Sequence, residues 1–474
     1  MLFNSLHFLF FFIFVTTLYY SVHGRFRWMV LLIASAYFYA SFIPAYLIIL
    51  GCIILIDYTS GIWIERTNGQ MRLWVLVASI IANISFLAFF KYFDFLNSNL
   101  SLLLDWGKAN HQSPAFNSLF PGLVLPIGLS FHTFQSMSYT IEVYRGNQKA
   151  EYNFGIYSLY VLFYPQLVAG PIERPQNVLW QFREQISYEW DNLRVGLWLI
   201  LWGLFKKVVI ADRLALVTDE VFGHVDNQNA TNLVIAVFFY SIQIYCDFSG
   251  YSDIALGTAR TMGFKLMTNF RSPYLSGSIS EFWKRWHISL STWFRDYLYI
   301  PLGGNRVGKV RMYINLMFVF LLSGLWHGAS WLFIIWGGVH GFYLILAHIL
   351  GTESWFTNSK STVFSKLSRL LHICWTFLLV AFAWIFFRAE STADAFQIFS
   401  TIASPSAYSV PHLSINDTEL LLCLVLIALL MFKDHYIPDY VPGQPTFWPS
   451  VAVISLLCYL FGMFGSNQFI YFQF

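Results

Sequence analysis

Long apolar runs, interrupted by short polar links, make up most of this chain. A membrane span needs about 20 mainly apolar residues. Stretches of that kind are predicted at Leu2–Val22, Trp28–Ile56, Leu73–Phe93, Leu119–Met137, Phe154–Val168, Leu193–Ile210 and Leu233–Leu256. Met312–Leu350 is long enough for two passes, and Leu371–Phe387, Leu420–Phe432 and Pro449–Phe464 follow. Counted together they predict about eleven or twelve spans. Trp28–Ile56 reads either as one tilted helix or as a pair broken at Pro44. The runs are apolar on all sides, which suits helices; a membrane barrel would need short alternating segments.

One polar stretch keeps a helical period. From Ser280 to Ile300, Trp283, Trp286, His287, Leu290, Trp293, Phe294 and Tyr297 fall on one face about 120° wide. Glu281, Lys284, Arg285, Thr292, Arg295 and Asp296 fall on the other. This pattern predicts an amphipathic helix lying at the membrane surface, ended by Pro301 and Gly303-Gly304-Asn305.

Composition names the solvent. Of 474 residues 57% are hydrophobic and only 11% charged, against about 25% charged in soluble domains. The fold class is therefore an all-α integral membrane protein, read as one membrane domain over residues 1–474. A net charge of +3 is too small to suggest nucleic acid. The five cysteines show neither metal-ligand nor redox spacing and read as buried small residues. The first apolar run lacks the flanks of a cleavable signal and reads as a retained helix.

Charge is concentrated in one basic segment, about 257–311. Nine of the chain's 28 Lys and Arg residues lie between Arg260 and Arg311, opposed only by Glu281 and Asp296. Under the positive-inside rule this places the segment in the cytoplasm and the N-terminus outside.

Polar groups within apolar runs are costly and usually face a bundle interior or a cavity. His327 stands in Ser323-Gly324-Leu325-Trp326-His327-Gly328-Ala329, inside Met312–Leu350, which has no Asp, Glu, Lys or Arg. A helix starting near Arg311 would carry it about 24 Å inward. It is either a histidine bonded to a neighbouring helix or a general base, for which a neutral imidazole is suited. Gly324 and Gly328 would let a helix or a substrate approach closely. His287 on the aromatic face is an interfacial anchor or a functional group. His340 and His348 read as structural or tuning residues, and His132 is open between a structural and a functional reading. Asp247 and Asp253, with Ser249 between them, form either a polar notch lining a substrate path or a satisfied helix end. Nucleophile-elbow, zincin, Walker and dinucleotide motifs are missing.

Several stretches resemble the membrane-bound O-acyltransferase family, and within it the alginate O-acetylase branch. They are Leu125–Phe131, Val168–Arg174, Tyr245–Asp253, Ser278–Ser291, Trp293–Arg306 and Ser323–Ala329. The resemblance implies a ring of tilted helices around a central tunnel. It implies acyl transfer from a cytoplasmic thioester, acetyl-CoA in this branch, to a hydroxyl of an extracytoplasmic polysaccharide, with no bound cofactor or metal. By it His327 is the catalytic histidine, and His287 is a second one that is either catalytic or donor-positioning. Asp247, Ser249, Trp283, Trp286, Trp326 and Arg295 are candidates for lining the tunnel. An SGNH-like periplasmic acetyltransferase partner is implied, in a cell inner membrane. D-alanyl transfer to teichoic acid is the related alternative, and a proton-coupled transporter or a non-catalytic scaffold the unrelated ones.

Overall fold

A computed structural model of the chain describes residues 1–104, 126–167, 170–351, 363–436, 447–464 and 469–470. The start of the span expected at Leu119, Val168 and Ala169 of one motif, and the end of the chain at Phe474 lie outside them. The described residues form helices and no strand. Among the described residues six helices are long and apolar enough to cross a membrane, and two shorter ones are also apolar. The protein is a multi-pass membrane protein.

The chain groups into two compact units, Met1–Gly196 with Ala255–Leu266, and Leu197–Ile254 with Met267–Phe474. In the first unit, α1 (Leu6–Ser21), α2 (Arg27–Ala40), α3 (Tyr46–Arg66) and α4 (Gly69–Phe90) follow one another closely. The apolar run across Pro44 is thus a pair, with a turn at Ser41–Ala45. Then come α5 (Phe93–Leu104), α6 (Leu129–Arg145) and α7 (Phe154–Leu162). A carboxylate inside such a bundle must be satisfied by neighbours. Asp57 of α3 accepts from Ser79 Oγ (2.6 Å) and from Asn83 Nδ2 (2.9 and 3.0 Å) on α4, which clips the two helices together.

The second unit carries the chemistry-bearing residues. α8 (Trp190–Leu204) enters it and runs into a π-helix over Phe205–Ala211, followed by α9 (Asp212–Gly223). The long α10 (Ala230–Thr261) leads to a loop and to two short helices, α11 (Ile279–Arg285) and α12 (Ile288–Phe294). α13 (Lys309–His327) and α14 (Trp331–Ile349) form a tight hairpin, followed by α15 (Val363–Arg388), α16 (Thr392–Ala403), α17 (Asp417–Tyr436) and α18 (Phe447–Phe461). Met312–Leu350 therefore does pass twice. Glycines bring the hairpin together: a Cβ on Gly324 would sit 2.1 Å from the Phe333 carbonyl oxygen, and one on Gly337 2.2 Å from that of Phe320.

The amphipathic helix expected over Ser280–Ile300 is corrected by the structure. It is two short helices broken at Trp286–His287, followed by a π-turn at Arg295–Tyr299. Its aromatic face is not laid on lipid. Trp286, Leu290, Trp293 and Phe294 are buried within the protein, with Trp286 in the same core as Trp336 and Trp384. Amphipathic period reports an apolar neighbour without saying whether it is lipid or protein. The cysteines also divide: Cys246, Cys423 and Cys458 are buried, whereas Cys52 and Cys374 are exposed.

Candidate active site

His287 owes its place to the break between α11 and α12. Its backbone is left-handed (φ +42°), a conformation that side chains other than glycine adopt at a cost. Asn269 holds the break from the preceding loop. Its carbonyl accepts from Ile288 N (2.9 Å) and its side-chain oxygen from Ser289 N (3.1 Å). The imidazole is fully buried, edge-on to Phe248 with ring centroids 4.7 Å apart. Burial pushes its pKa down to about 3, so the ring is neutral at physiological pH.

His327 is the last residue of α13, about 27 Å along the helix from Lys309. It is buried among Trp326 (5.0 Å between centroids), Trp336 (5.1 Å) and Phe387 (5.4 Å). The groups that approach Gly324 and Gly328 come from α14: the Phe333 carbonyl meets the first, and the Phe333 ring the second. Trp326 lies against both histidines, with its centroid 6.2 Å from that of His287. The structure thus brings His287, Trp326 and His327 into one row.

Two cavities lie toward opposite ends of α13, and His287, Trp326 and His327 themselves line neither of them. The first, about 570 Å³, follows one face of α13 through Met312, Leu316, Val319 and Ser323. Spacings of three and four keep these on one helix face, and His327 is the next position along it. Lys284, Arg295 and His348 also line this cavity, with no carboxylate among its described residues. Arg295 Nε reaches Asp296 at 2.8 Å. Trp283 forms part of the wall and packs edge-on to His340 and Trp336.

The second cavity, about 550 Å³, opens at the other end, past the α13–α14 turn. Ser330, Phe333 and Phe387 line it, and Phe387 separates it from His327. Its floor is ionic. Lys207 donates to Asp247 Oδ1 at 2.6 Å and pairs with Asp212 at 2.9 Å, all three side chains being buried. Asp247 Oδ2 accepts from Ile470 N at 2.8 Å. Burial raises the Asp212 pKa to about 6, an effect the neighbouring Lys207 ammonium only partly offsets.

The notch expected at Asp247–Asp253 therefore resolves into two ion pairs. Lys206 takes Asp253 (2.7 Å) and donates to Ser249 Oγ (2.8 Å), while Lys207 takes Asp247. Two adjacent lysines can reach two carboxylates on α10 because the backbone at 205–211 is wound as a π-helix, a device common at functional sites. Of the sequence candidates, Asp247, Trp283 and Arg295 line a cavity and Trp326 touches both histidines. Ser249 serves the Lys206 pair, and Trp286 belongs to the core. Sequence reasoning missed Lys207, Asp212, Phe387 and Arg388; the one available signal was a lysine pair inside an apolar run. Neither His340, caged by Trp283 and Trp336 at 5.0 Å each, nor His132 lines either cavity. His348 does line the first. Among the described residues no group of three or more His, Cys, Asp or Glu forms a metal-ligand set.

Comparison with known proteins gives this geometry a family. The profile of the membrane-bound O-acyltransferase family matches residues 143–387, which include both histidines and both lysines. A "probable alginate O-acetylase" of Pseudomonas aeruginosa is 38% identical, over 91% of this chain and 80% of the relative. The peptidoglycan O-acetyltransferase of Helicobacter pylori is 34% identical, over 94% and 91%. The teichoic acid D-alanyltransferase of Bacillus subtilis is more distant, 27% identical over 60% and 73%. With its profile match across half the chain and its near-full-length relatives, this chain belongs to the membrane-bound O-acyltransferase family and is an O-acyltransferase.

Proposed function

We propose that this enzyme takes an acetyl group from a cytoplasmic thioester, acetyl-CoA, and passes it through the membrane to a hydroxyl bound for a cell-surface polysaccharide. The observation that carries this reading is His327 at the end of α13, one turn past Ser323 of one cavity and against Phe387 of a second cavity of different character. The cavity along α13 is lined by Lys284, Arg295 and His348 with no carboxylate among its described residues, which suits a donor bearing phosphates. Part of its lining, Ser280 to Asn305, comes from the basic segment, which the positive-inside rule puts on the cytoplasmic side of an inner membrane, with the N-terminus outside. The cavity beyond the α13–α14 turn would then face outward and admit the acceptor.

The chemistry follows from a neutral imidazole. A hydroxyl is a weak nucleophile until a base takes its proton. His327 removes that proton as the oxygen attacks the thioester carbon, forming the C–O bond. Collapse of the tetrahedral intermediate breaks the C–S bond, and the imidazolium returns the proton to the departing thiolate. His287 stays neutral and, across Trp326, positions the donor or His327. Delivery to the glycan would be completed by an SGNH-like periplasmic partner.

General-base catalysis is worth about 10²–10⁴-fold. His327→Ala should therefore reach the membrane at parental abundance while losing glycan O-acetylation by at least about 100-fold. Normal acetylation in that variant would remove the assignment. Supplying acetyl-CoA and a D-alanyl carrier-protein thioester in parallel to isolated membranes distinguishes the acetyl reading from the D-alanyl one.

A further inference from the structure

The cavity beyond the α13–α14 turn carries an unbalanced charge. Its described lining has two cations, Lys207 and Arg388, against four carboxylates, Asp212, Asp219, Asp247 and Glu390. Both cations already pair with carboxylates of the lining. Lys207 has three directions to donate, and they are taken by Asp247 (2.6 Å), Asp212 (2.9 Å) and the face of Phe469 (4.5 Å). Arg388 pairs with Asp219 at 3.0 Å and lies over the Phe222 ring at 5.4 Å. Glu390 is exposed and has no ion-pair partner among the described residues. An anion entering here would meet a lining with two more carboxylates than cations, its ammonium held between two of those carboxylates. Low-dielectric walls strengthen that repulsion relative to water.

We propose that this cavity selects its acceptor by charge, taking a hydroxyl on an uncharged carrier and turning away one that stands beside a carboxylate or phosphate. The inference rests on the reading of this cavity as the acceptor's entrance.

The test uses the full-length protein in lipid nanodiscs with acetyl-CoA and two matched acceptors, a methyl glucoside and the corresponding methyl glucuronoside. Acetyl transfer to each is measured as kcat/KM. The expected result is a preference of at least about tenfold for the uncharged sugar, since each factor of ten is only about 1.4 kcal/mol. Replacing the rim carboxylates (Asp219→Asn with Glu390→Gln) should pull the ratio several-fold toward the glucuronoside, as should raising the salt concentration. Both substitutions are at exposed positions, so folding is not in question. Equal transfer to the two sugars, or a ratio that the rim variant leaves unmoved, overturns charge selection and leaves the acyltransferase reading standing. Transfer to neither sugar, while membranes still acetylate their own glycan through His327, overturns the assignment of this cavity and the selectivity with it.

Discussion

At His287 the backbone and the side chain make opposing demands. A left-handed conformation costs a residue with a Cβ about 1–2 kcal/mol, so glycine should suit the break between α11 and α12 better than the native residue does. A histidine kept there at φ +42° points to a role for the ring. His287→Gly is expected to be more thermally stable than His287→Ala by about 1 kcal/mol yet equally impaired in acetyl transfer; recovery of activity in the glycine variant would assign the position to the backbone alone. Titration gives a second readout. The folded pKa of His287 is lowered by burial to about 3 from an ordinary 6.5. Above about 6.5 neither state binds the proton, so the linked stability is fully present there. It is lost as pH falls from 6.5 toward 3, because only the unfolded chain takes up the proton. The parent should therefore lose thermal stability between pH 6.5 and 5 more steeply than His287→Gln, as scanned by unfolding in detergent. The burial of His327 was legible from sequence because a polar ring in a charge-free apolar run is placed inside the protein rather than against lipid. The burial of His287 was not, since it depends on Asn269 bonding across the chain to hold the break.

At the scale of elements, two local devices decide what the site can be. One is the glycine-lined contact of α13 with α14, which sets where His327 stops. Gly324→Ala would force a Cβ to 2.1 Å from the Phe333 carbonyl, whereas a Cβ on Gly338 would find Leu321 at an ordinary 3.4 Å. Overpacking of that kind costs about 1–3 kcal/mol. Gly324→Ala should therefore lower the unfolding temperature and the activity together, while Gly338→Ala should leave both near parental values. The other device is the π-helix at 205–211, which presents Lys206 and Lys207 to Asp253 and Asp247. Removing one member of a buried ion pair costs about 3–5 kcal/mol because a charge is left uncompensated. Lys207→Met should be destabilised on that scale, and Lys207→Met with Asp247→Leu by clearly less than the two single variants added. Apolar run lengths were enough to find the α13–α14 hairpin, while at Pro44 they left one tilted helix and a broken pair both open. They could not announce a π-helix, since its signature is a hydrogen-bond shift, nor that the face of α11–α12 turns toward protein, since lipid and protein interior are equally apolar.

For the whole molecule, hydrophobicity identified the solvent and thereby made the few polar residues readable, but it assigned them no partners. The basic segment is a case in point. Read along the chain it is a topology signal; in the structure Lys284 and Arg295 line a cavity that follows α13 toward His327, while Glu281 neutralises Arg285 and Asp296 reaches Arg295. If that cavity holds the donor's phosphates, its cations should matter only for a donor that carries them. Point-charge recognition of this sort strengthens binding without entering the chemical step, so its loss should raise KM and leave kcat nearly intact. Lys284→Gln with Arg295→Gln is accordingly expected to raise KM for acetyl-CoA about tenfold and to have little effect on acetyl-pantetheine, which offers the same thioester without the nucleotide phosphates. The contrast should shrink at high salt, since exposed charges such as Arg295 are screened over about 10 Å at 0.1 M. An equal rise in KM for both donors would mean that the two side chains shape the cavity rather than bind phosphate, and a fall in kcat for both would place them nearer the reacting thioester than the geometry of α13 allows.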